Sequence, residues 1–183
     1  MFTGSYVAIV TPFKSGKIDE EAYAKLIEMH AKAGTDGIVP AGTTGESPTL
    51  TPGEHESLIS LTVRLVKGRM KVMAGTGSNS TAEAIEYTQA AEKAGADAAL
   101  VVNPYYNKPT QKGLYEHFKA VAGAVKIPVI VYNIQGRTGV NVATSTLARL
   151  VKDCPNIRGV KEASGDLSQM SEVIEACGPD FDV

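Results

Sequence analysis

Lys93-Ala94-Gly95-Ala96-Asp97-Ala98-Ala99-Leu100 repeats the pattern of Lys32-Ala33-Gly34-Thr35-Asp36-Gly37-Ile38-Val39. Each copy is a helix end, a glycine stop, an aspartate and the apolar start of a strand. The copies lie two strand–helix units apart. Around them, strand-like runs over 6–10, 37–39, 71–74, 97–102, 127–132 and 157–164 alternate with helical runs over 19–33, 51–67, 80–95, 111–124, 144–154 and 166–178. The run over 97–102 is nearly all apolar, as a strand covered on both faces must be. Thr51-Pro52-Gly53-Glu54 combines a capping threonine, a proline suited to the first helical position and a glutamate that completes a capping box; Ser80 and Glu83 repeat the box. A period of roughly thirty residues is the size of a βαβ unit, and such units give a parallel sheet with right-handed crossovers. No GxGxxG follows the first strand, which disfavours a dinucleotide-binding fold. A (β/α)8 TIM barrel normally takes about 250 residues. These 183 residues hold six complete units, and Phe181-Asp182-Val183 opens a seventh strand. The expectation is a single α/β domain over 1–183, a TIM barrel truncated in this chain, with the remaining barrel units and any C-terminal helical domain absent from it.

Composition narrows the function. A hydrophobic content of 43% supports a real core, and a net charge of −2 gives no support to nucleic-acid or membrane-surface binding. No apolar run is long enough to cross a bilayer. Met1 to Tyr6 lacks a basic stretch followed by an apolar one, so no signal peptide is expected there. Cys154 and Cys177 are isolated, which suits a reducing cytosol and a cytoplasmic protein. His30, His55 and His117 do not space like a metal site and read as surface or partly buried structural residues, so no metal and no cofactor are expected.

In such barrels the chemistry sits in the loops after the strands. Polar residues fall there: Thr43, Thr44 and Ser47 after the second strand, Tyr105 and Tyr106 after the fourth, Tyr132 and Arg137 after the fifth. Ile157-Arg158-Gly159-Val160-Lys161-Glu162-Ala163-Ser164 is the sixth strand. Side chains alternate along it, so Lys161 and Glu162 point opposite ways. An inward Lys161 would lose solvent, and burial favours the neutral amine, a nucleophile for ketones. An edge lysine with its ammonium in water is the plain alternative, as are a tight turn for the threonine loop, a core tyrosine for Tyr132 and a surface charge for Arg137. Their placement on one face favours a small substrate bearing carboxylates and a carbonyl.

Gly42-Thr43-Thr44-Gly45-Glu46-Ser47, Asn103-Pro104-Tyr105-Tyr106-Asn107-Lys108-Pro109, Tyr132-Asn133 with Arg137-Thr138-Gly139, and Gly159-Val160-Lys161-Glu162-Ala163-Ser164-Gly165 together resemble the dihydrodipicolinate synthases. These belong to the pyruvate-dependent class I aldolases that include N-acetylneuraminate lyase. The resemblance runs from Phe2 onward and matches the N-terminal part of such enzymes. It implies that Lys161 forms a Schiff base with pyruvate and that Tyr132 shuttles protons. Tyr132 would be linked to Thr43 and to a Tyr106 reaching in from a neighbouring subunit. Thr43 and Thr44 would hold the pyruvate carboxylate, and Arg137 that of L-aspartate-4-semialdehyde. The reaction implied is condensation to 4-hydroxy-tetrahydrodipicolinate, the first committed step of lysine (diaminopimelate) biosynthesis, by a homo-oligomer, a dimer or tetramer.

The resemblance also implies an L-lysine feedback site from Ser47, His55, Asn79, Glu83 and Tyr105. Three positions depart from the common pattern: Gln135 where proline is frequent, Pro48 where a small residue is common, and Pro52 where some relatives carry histidine. The first bears on how Arg137 is presented, the others on the strength of lysine inhibition. Two rival readings are a sister aldolase that cleaves a sugar acid, against which Arg137-Thr138-Gly139 speaks, and an inactive barrel fragment that only self-associates through its open edges.

Overall fold

A computed structural model describes residues 2–183. The chain runs through β1 (Tyr6–Ala8), a hairpin of β2 (Phe13–Lys14) and β3 (Lys17–Ile18), α1 (Glu20–Lys32), β4 (Gly37–Val39), a single 3-10 turn (Ser47–Thr49), α2 (Pro52–Val66), β5 (Lys71–Gly75), α3 (Thr81–Ala94), β6 (Ala98–Val102), α4 (Gln111–Gly123), β7 (Val129–Asn133), the one-turn α5 (Gln135–Thr138), α6 (Thr144–Asp153), β8 (Ile157–Glu162) and α7 (Leu167–Cys177). Six strands pair in the order β1-β4-β5-β6-β7-β8, every pairing parallel. The result is a curled α/β half-barrel with helices on its outer face. A bridge from Gly159 to Asp182 begins a further parallel neighbour of β8, where a seventh barrel strand was expected.

The repeat has a physical purpose. Asp36, just before β4, accepts a hydrogen bond from the Ser5 backbone N–H at 2.7 Å, beside β1. Asp97, just before β6, accepts one from the Val72 N–H of β5 at 2.9 Å. Each aspartate ties the start of its strand to the preceding neighbour. Gly34 and Gly95 turn the chain between helix and strand at φ of +76° and +91°, a region that disfavours residues with a Cβ.

Strand alternation divides the core. Ile38, Val72, Ala74, Val101, Val129, Val131 and Val160 pack outward against the helices. Val39, Met73, Ala98, Leu100, Ile130 and Tyr132 form an inner cluster on the concave face. Leu114 and Phe118 of α4 are fully buried on the helix side; truncating such a phenylalanine typically costs about 3–5 kcal/mol. No helix among the described residues is long and apolar enough to cross a membrane.

Four expectations need correction. The β2–β3 hairpin was not foreseen: Ser15 and Gly16 both have positive φ, 53° and 75°, the two-residue turn that matches strand twist. The stretch over 133–140 is not all loop, because α5 makes one turn there; four residues are too few to show helical periodicity. Gln135 is its first residue, a position that tolerates proline equally well, so the turn bearing Arg137 forms without it. The Thr51–Glu54 capping box forms, but at α3 only half of one does: the Ser80 hydroxyl accepts from the Glu83 N–H, while the Glu83 carboxylate turns to the Ser78 hydroxyl. Finally, His55 and His117, expected at the surface or partly buried, are almost completely buried.

Candidate active site

β8 delivers Lys161 to the concave face and Glu162 to the helix side. The register pairs Tyr132 with both Val102 and Lys161, placing the lysine beside the inner cluster. Its Nζ lies 4.4 Å from the Tyr132 ring centroid, over the ring face. The chain around it strips part of its hydration, and that desolvation lowers the ammonium pKa from its ordinary value. The side chain still meets solvent through the open mouth.

Behind this pair the outward residues lock the strand ends. The Asn133 side-chain amide donates to Glu162 Oε1 and Oε2 at 3.1 and 3.0 Å and to Asn141 Oδ1 at 2.7 Å. Gln169 Nε2 donates to Glu162 Oε2 at 3.0 Å, and the Ser164 N–H to Glu162 Oε1 at 2.9 Å. Asn103 donates to Asn133 Oδ1 at 2.8 Å, and both are fully buried. A connected web of this kind fixes one geometry, since each buried member lacks water as a substitute partner.

Lys161 opens into a cavity of about 890 Å³. Thr43, Thr44, Ser47, Tyr105, Tyr106, Lys108, Tyr132 and Arg137 line it, with Val39, Leu100, Val102 and Ile134 as apolar wall. No Asp or Glu is among its lining residues, whereas three cations are. The threonine loop is a compact turn: Gly45 N–H donates to Gly42 O and Glu46 N–H to Thr43 O, at 3.0 and 3.2 Å. The backbone N–H groups of Thr43 and Thr44 have no partner among the described residues, leaving donors for an anion. Gly75 must be glycine because a Cβ there would strike the Ala41 carbonyl that carries this loop.

A smaller cavity of about 130 Å³ shares one wall with the first. Ser47, Glu83 and Tyr105 line it, with Tyr87, Pro48 and Pro52. His55 sits behind it, its ring stacked on Tyr87 at 4.1 Å and its Nε2 2.9 Å from the Gly75 carbonyl. Burial lowers the His55 pKa, so the imidazole is neutral and Nε2–H donates to that carbonyl. Asn79 is not among the lining residues; its carbonyl accepts from Asn107 Nδ2 at 3.0 Å.

Thr43, Thr44, Tyr106, Tyr132, Arg137 and Lys161 thus share one cavity. No hydrogen bond joins Thr43, Tyr132 and Tyr106 among the described residues, and Tyr106 stands 88% exposed at the rim. The sequence reading passed over Tyr87 and Lys108. Tyr87 follows Glu83 by one helical turn, a spacing that places both on one face of α3. Lys108 lies within the Asn103–Pro109 stretch, where nothing in the sequence distinguishes it from an ordinary surface lysine. No group of three His, Cys, Asp or Glu side chains that could hold a metal occurs among the described residues.

Comparison with known proteins agrees with this architecture. The chain is 56% identical over 182 residues to the 4-hydroxy-tetrahydrodipicolinate synthase of Nitratidesulfovibrio vulgaris (strain Miyazaki F), covering 100% of the chain and 62% of that protein. It superposes with a TM-score of 0.93 and 51% identity on a chloride-inhibited dihydrodipicolinate synthase from Acinetobacter baumannii complexed with pyruvate, over 97% of this chain and 61% of that one. With the enzyme from Cyanidioschyzon merolae, solved with lysine bound, the TM-score is 0.93 and the identity 46%, over 97% and 61%. The chain therefore spans less than two thirds of the length of these relatives. The profile of the dihydrodipicolinate synthetase family matches residues 1–183, and at this degree of identity the chain belongs to that family.

Proposed function

We propose that the chain is the N-terminal part of a (β/α)8 barrel that condenses pyruvate with L-aspartate-4-semialdehyde to 4-hydroxy-tetrahydrodipicolinate, serving lysine biosynthesis in the cytoplasm without a cofactor. One observation carries the reading: Lys161, its pKa lowered, lies over Tyr132 in a cavity with no carboxylate among its lining residues. Two contacts support further closure of the barrel: the Gly159–Asp182 bridge, and a hydrogen bond of 3.0 Å from the Phe2 N–H across to Asp182. The remaining barrel units and any C-terminal helical domain belong to the full-length protein.

In this scheme the neutral Lys161 amine attacks the pyruvate ketone and loses water to give an imine. The imine withdraws electrons, so the methyl carbon gives up a proton and attacks the aldehyde; the semialdehyde's amino group then attacks the imine carbon, closing the ring and expelling the Lys161 amine. Tyr132 relays protons, with Thr43 and a partner subunit's copy of Tyr106 completing the relay in a dimer or tetramer. Thr43 and Thr44 hold the pyruvate carboxylate through their N–H groups and hydroxyls. Arg137 grips the semialdehyde carboxylate in the two-pronged manner that lysine lacks. The smaller cavity receives the ammonium group of L-lysine as a feedback inhibitor.

Borohydride reduction of the full-length protein with pyruvate, followed by peptide mapping, tests the central step. The expected result is the pyruvyl mass on Lys161 and none in Lys161→Ala. A label on another lysine, or no label, overturns the assignment. Parallel assays of the 183-residue chain determine whether catalysis needs the complete barrel.

A further inference from the structure

The exposed cation at the cavity mouth that the scheme above leaves unused is Lys108. It follows Tyr106 and Asn107 in the loop after β6, and its backbone is unusual. Tyr106 and Lys108 both adopt left-handed φ, 69° and 48°, which residues with a Cβ rarely do. Asn107 between them is tied down by its N–H to the Tyr105 carbonyl at 2.8 Å and by its side chain to the Asn79 carbonyl. Non-glycine residues persist in this region only where their surroundings hold them, and such places cluster at ligand clamps.

The Lys108 stem lies along Gly139, two residues from Arg137. A Cβ on Gly139 would stand 3.0 Å from Lys108 Cε and 3.6 Å from Cγ. Gly139, at φ +75°, closes α5 and leaves the space that the stem occupies. Lys25, Lys32, Arg69, Lys71 and Arg149 each pair with a carboxylate on the surface. Lys108 and Arg137, like most other cations among the described residues, pair with no carboxylate; what sets them apart is that they line one cavity together and that its lining includes no acid. Two unpaired cations on adjoining loops raise the positive potential at one entrance.

We propose that Lys108 is a second substrate-binding cation, which acts with Arg137 to draw in and hold the carboxylate of the aldehyde substrate. This rests on the function proposed above. Arg137 supplies the directional grip and Lys108 a movable point charge, which suits a carboxylate that arrives from solvent and shifts as the new carbon–carbon bond forms.

The test uses the full-length protein at saturating pyruvate. In Lys108→Ala, KM for the semialdehyde is expected to rise about three- to tenfold, the range of a partly exposed charge contact. Lys108→Arg should stay near the parent and Lys108→Glu should be worse than alanine. KM for pyruvate and borohydride trapping on Lys161 should not change. The salt dependence of kcat/KM for the semialdehyde should flatten in Lys108→Ala. Independently of turnover, calorimetry with pyridine-2,6-dicarboxylate, a ring with two carboxylates, should show weaker binding to Lys108→Ala than to Lys108→Arg. Failure of pyruvate trapping with this binding difference intact would count against the proposed reaction but not against the anion-binding lysine. Unchanged semialdehyde KM and salt dependence, or equal dicarboxylate binding by the two variants, overturns the role of Lys108.

Discussion

The two cavities share Ser47, Pro48, Gly77 and Tyr105 and yet are built for opposite charges. The large one is lined by Lys108, Arg137 and Lys161 and by no acid; the small one by Glu83 and no base. A carboxylate entering the first meets cations that lack partners of their own. An ammonium entering the second meets a carboxylate already oriented by Ser78 and Tyr87. Charge would separate ligands by sign, and the two linings have in common only the wall of Ser47, Pro48, Gly77 and Tyr105. In the proposed reading this is how an end product restrains the committing step without competing for the site.

The cavities also differ in what acid does to them. The small one rests on α3, whose first residue, Thr81, has its hydroxyl oxygen 2.9 Å from His117 Nδ1. Burial pushes the His117 pKa down from 6.5 to about 4. The unfolded chain therefore takes up a proton near pH 6.5 that the folded chain refuses until about pH 4. Stability from this group is complete above pH 6.5 and is lost as pH falls toward 4, by up to about 3 kcal/mol. Urea midpoints measured at pH 7.5, 6 and 5 should fall less steeply for His117→Gln than for the parent, since the carboxylates titrate alike in both. Parallel profiles would show that His117 does not set the acid sensitivity of this side of the fold.

Arg137→Ala breaks the charge contrast from the large cavity's side. Loss of a charge-assisted pair typically costs about 1.5–3 kcal/mol, or roughly ten- to a hundredfold. The increase should fall on KM for the semialdehyde and leave KM for pyruvate nearly unchanged, because pyruvate is assigned to the threonine loop. Equal increases for both substrates would remove the division of labour between Arg137 and Thr43-Thr44.

Much of this is legible in the sequence, for identifiable reasons. The thirty-residue alternation, the paired Gly–Asp motifs and the Thr51 cap are local signals, and local signals are enough to outline the helices and the parallel sheet. Strand alternation put Lys161 and Glu162 on opposite faces but left open which of them faces inward; the pairing of Lys161 with Tyr132 decides it. The Glu162–Asn133–Gln169 web was not legible, because Asn133 lies far from the other two in sequence and all three meet only when β7, β8 and α7 assemble. Lys108 was hidden for another reason: its significance lies in a left-handed backbone and in the missing side chain of Gly139, and neither leaves a periodic trace. The burial of His55 and His117 likewise depends on neighbouring helices that the sequence places in order but not in space.

The smallest expected effect lies in the small cavity and tests the contrast from its other side. Glu83 is the carboxylate among its lining residues, so an ammonium ligand should depend on it. Glu83→Ala is a fair probe, because the Ser80 hydroxyl caps the Glu83 backbone N–H whatever the side chain, and α3 keeps its start. Pro48 and Pro52 line the same cavity and lack the N–H groups that other residues would offer a ligand carboxylate there. Inhibition by L-lysine is therefore expected, but weaker than in relatives with ordinary residues at those positions. In initial-rate titrations of the full-length protein, Glu83→Ala should move half-inhibition upward by about tenfold, the weight of one charge-assisted contact at a partly open site. Glu83→Gln, which keeps the hydrogen-bonding shape, should lie between the two if charge and geometry both count. KM for pyruvate should stay within about twofold throughout, since the effect is read across the shared wall of Ser47, Pro48, Gly77 and Tyr105. A parent enzyme indifferent to millimolar lysine, or an inhibition curve that Glu83→Ala does not move, would mean that the acidic cavity is only a crevice beside the cationic one.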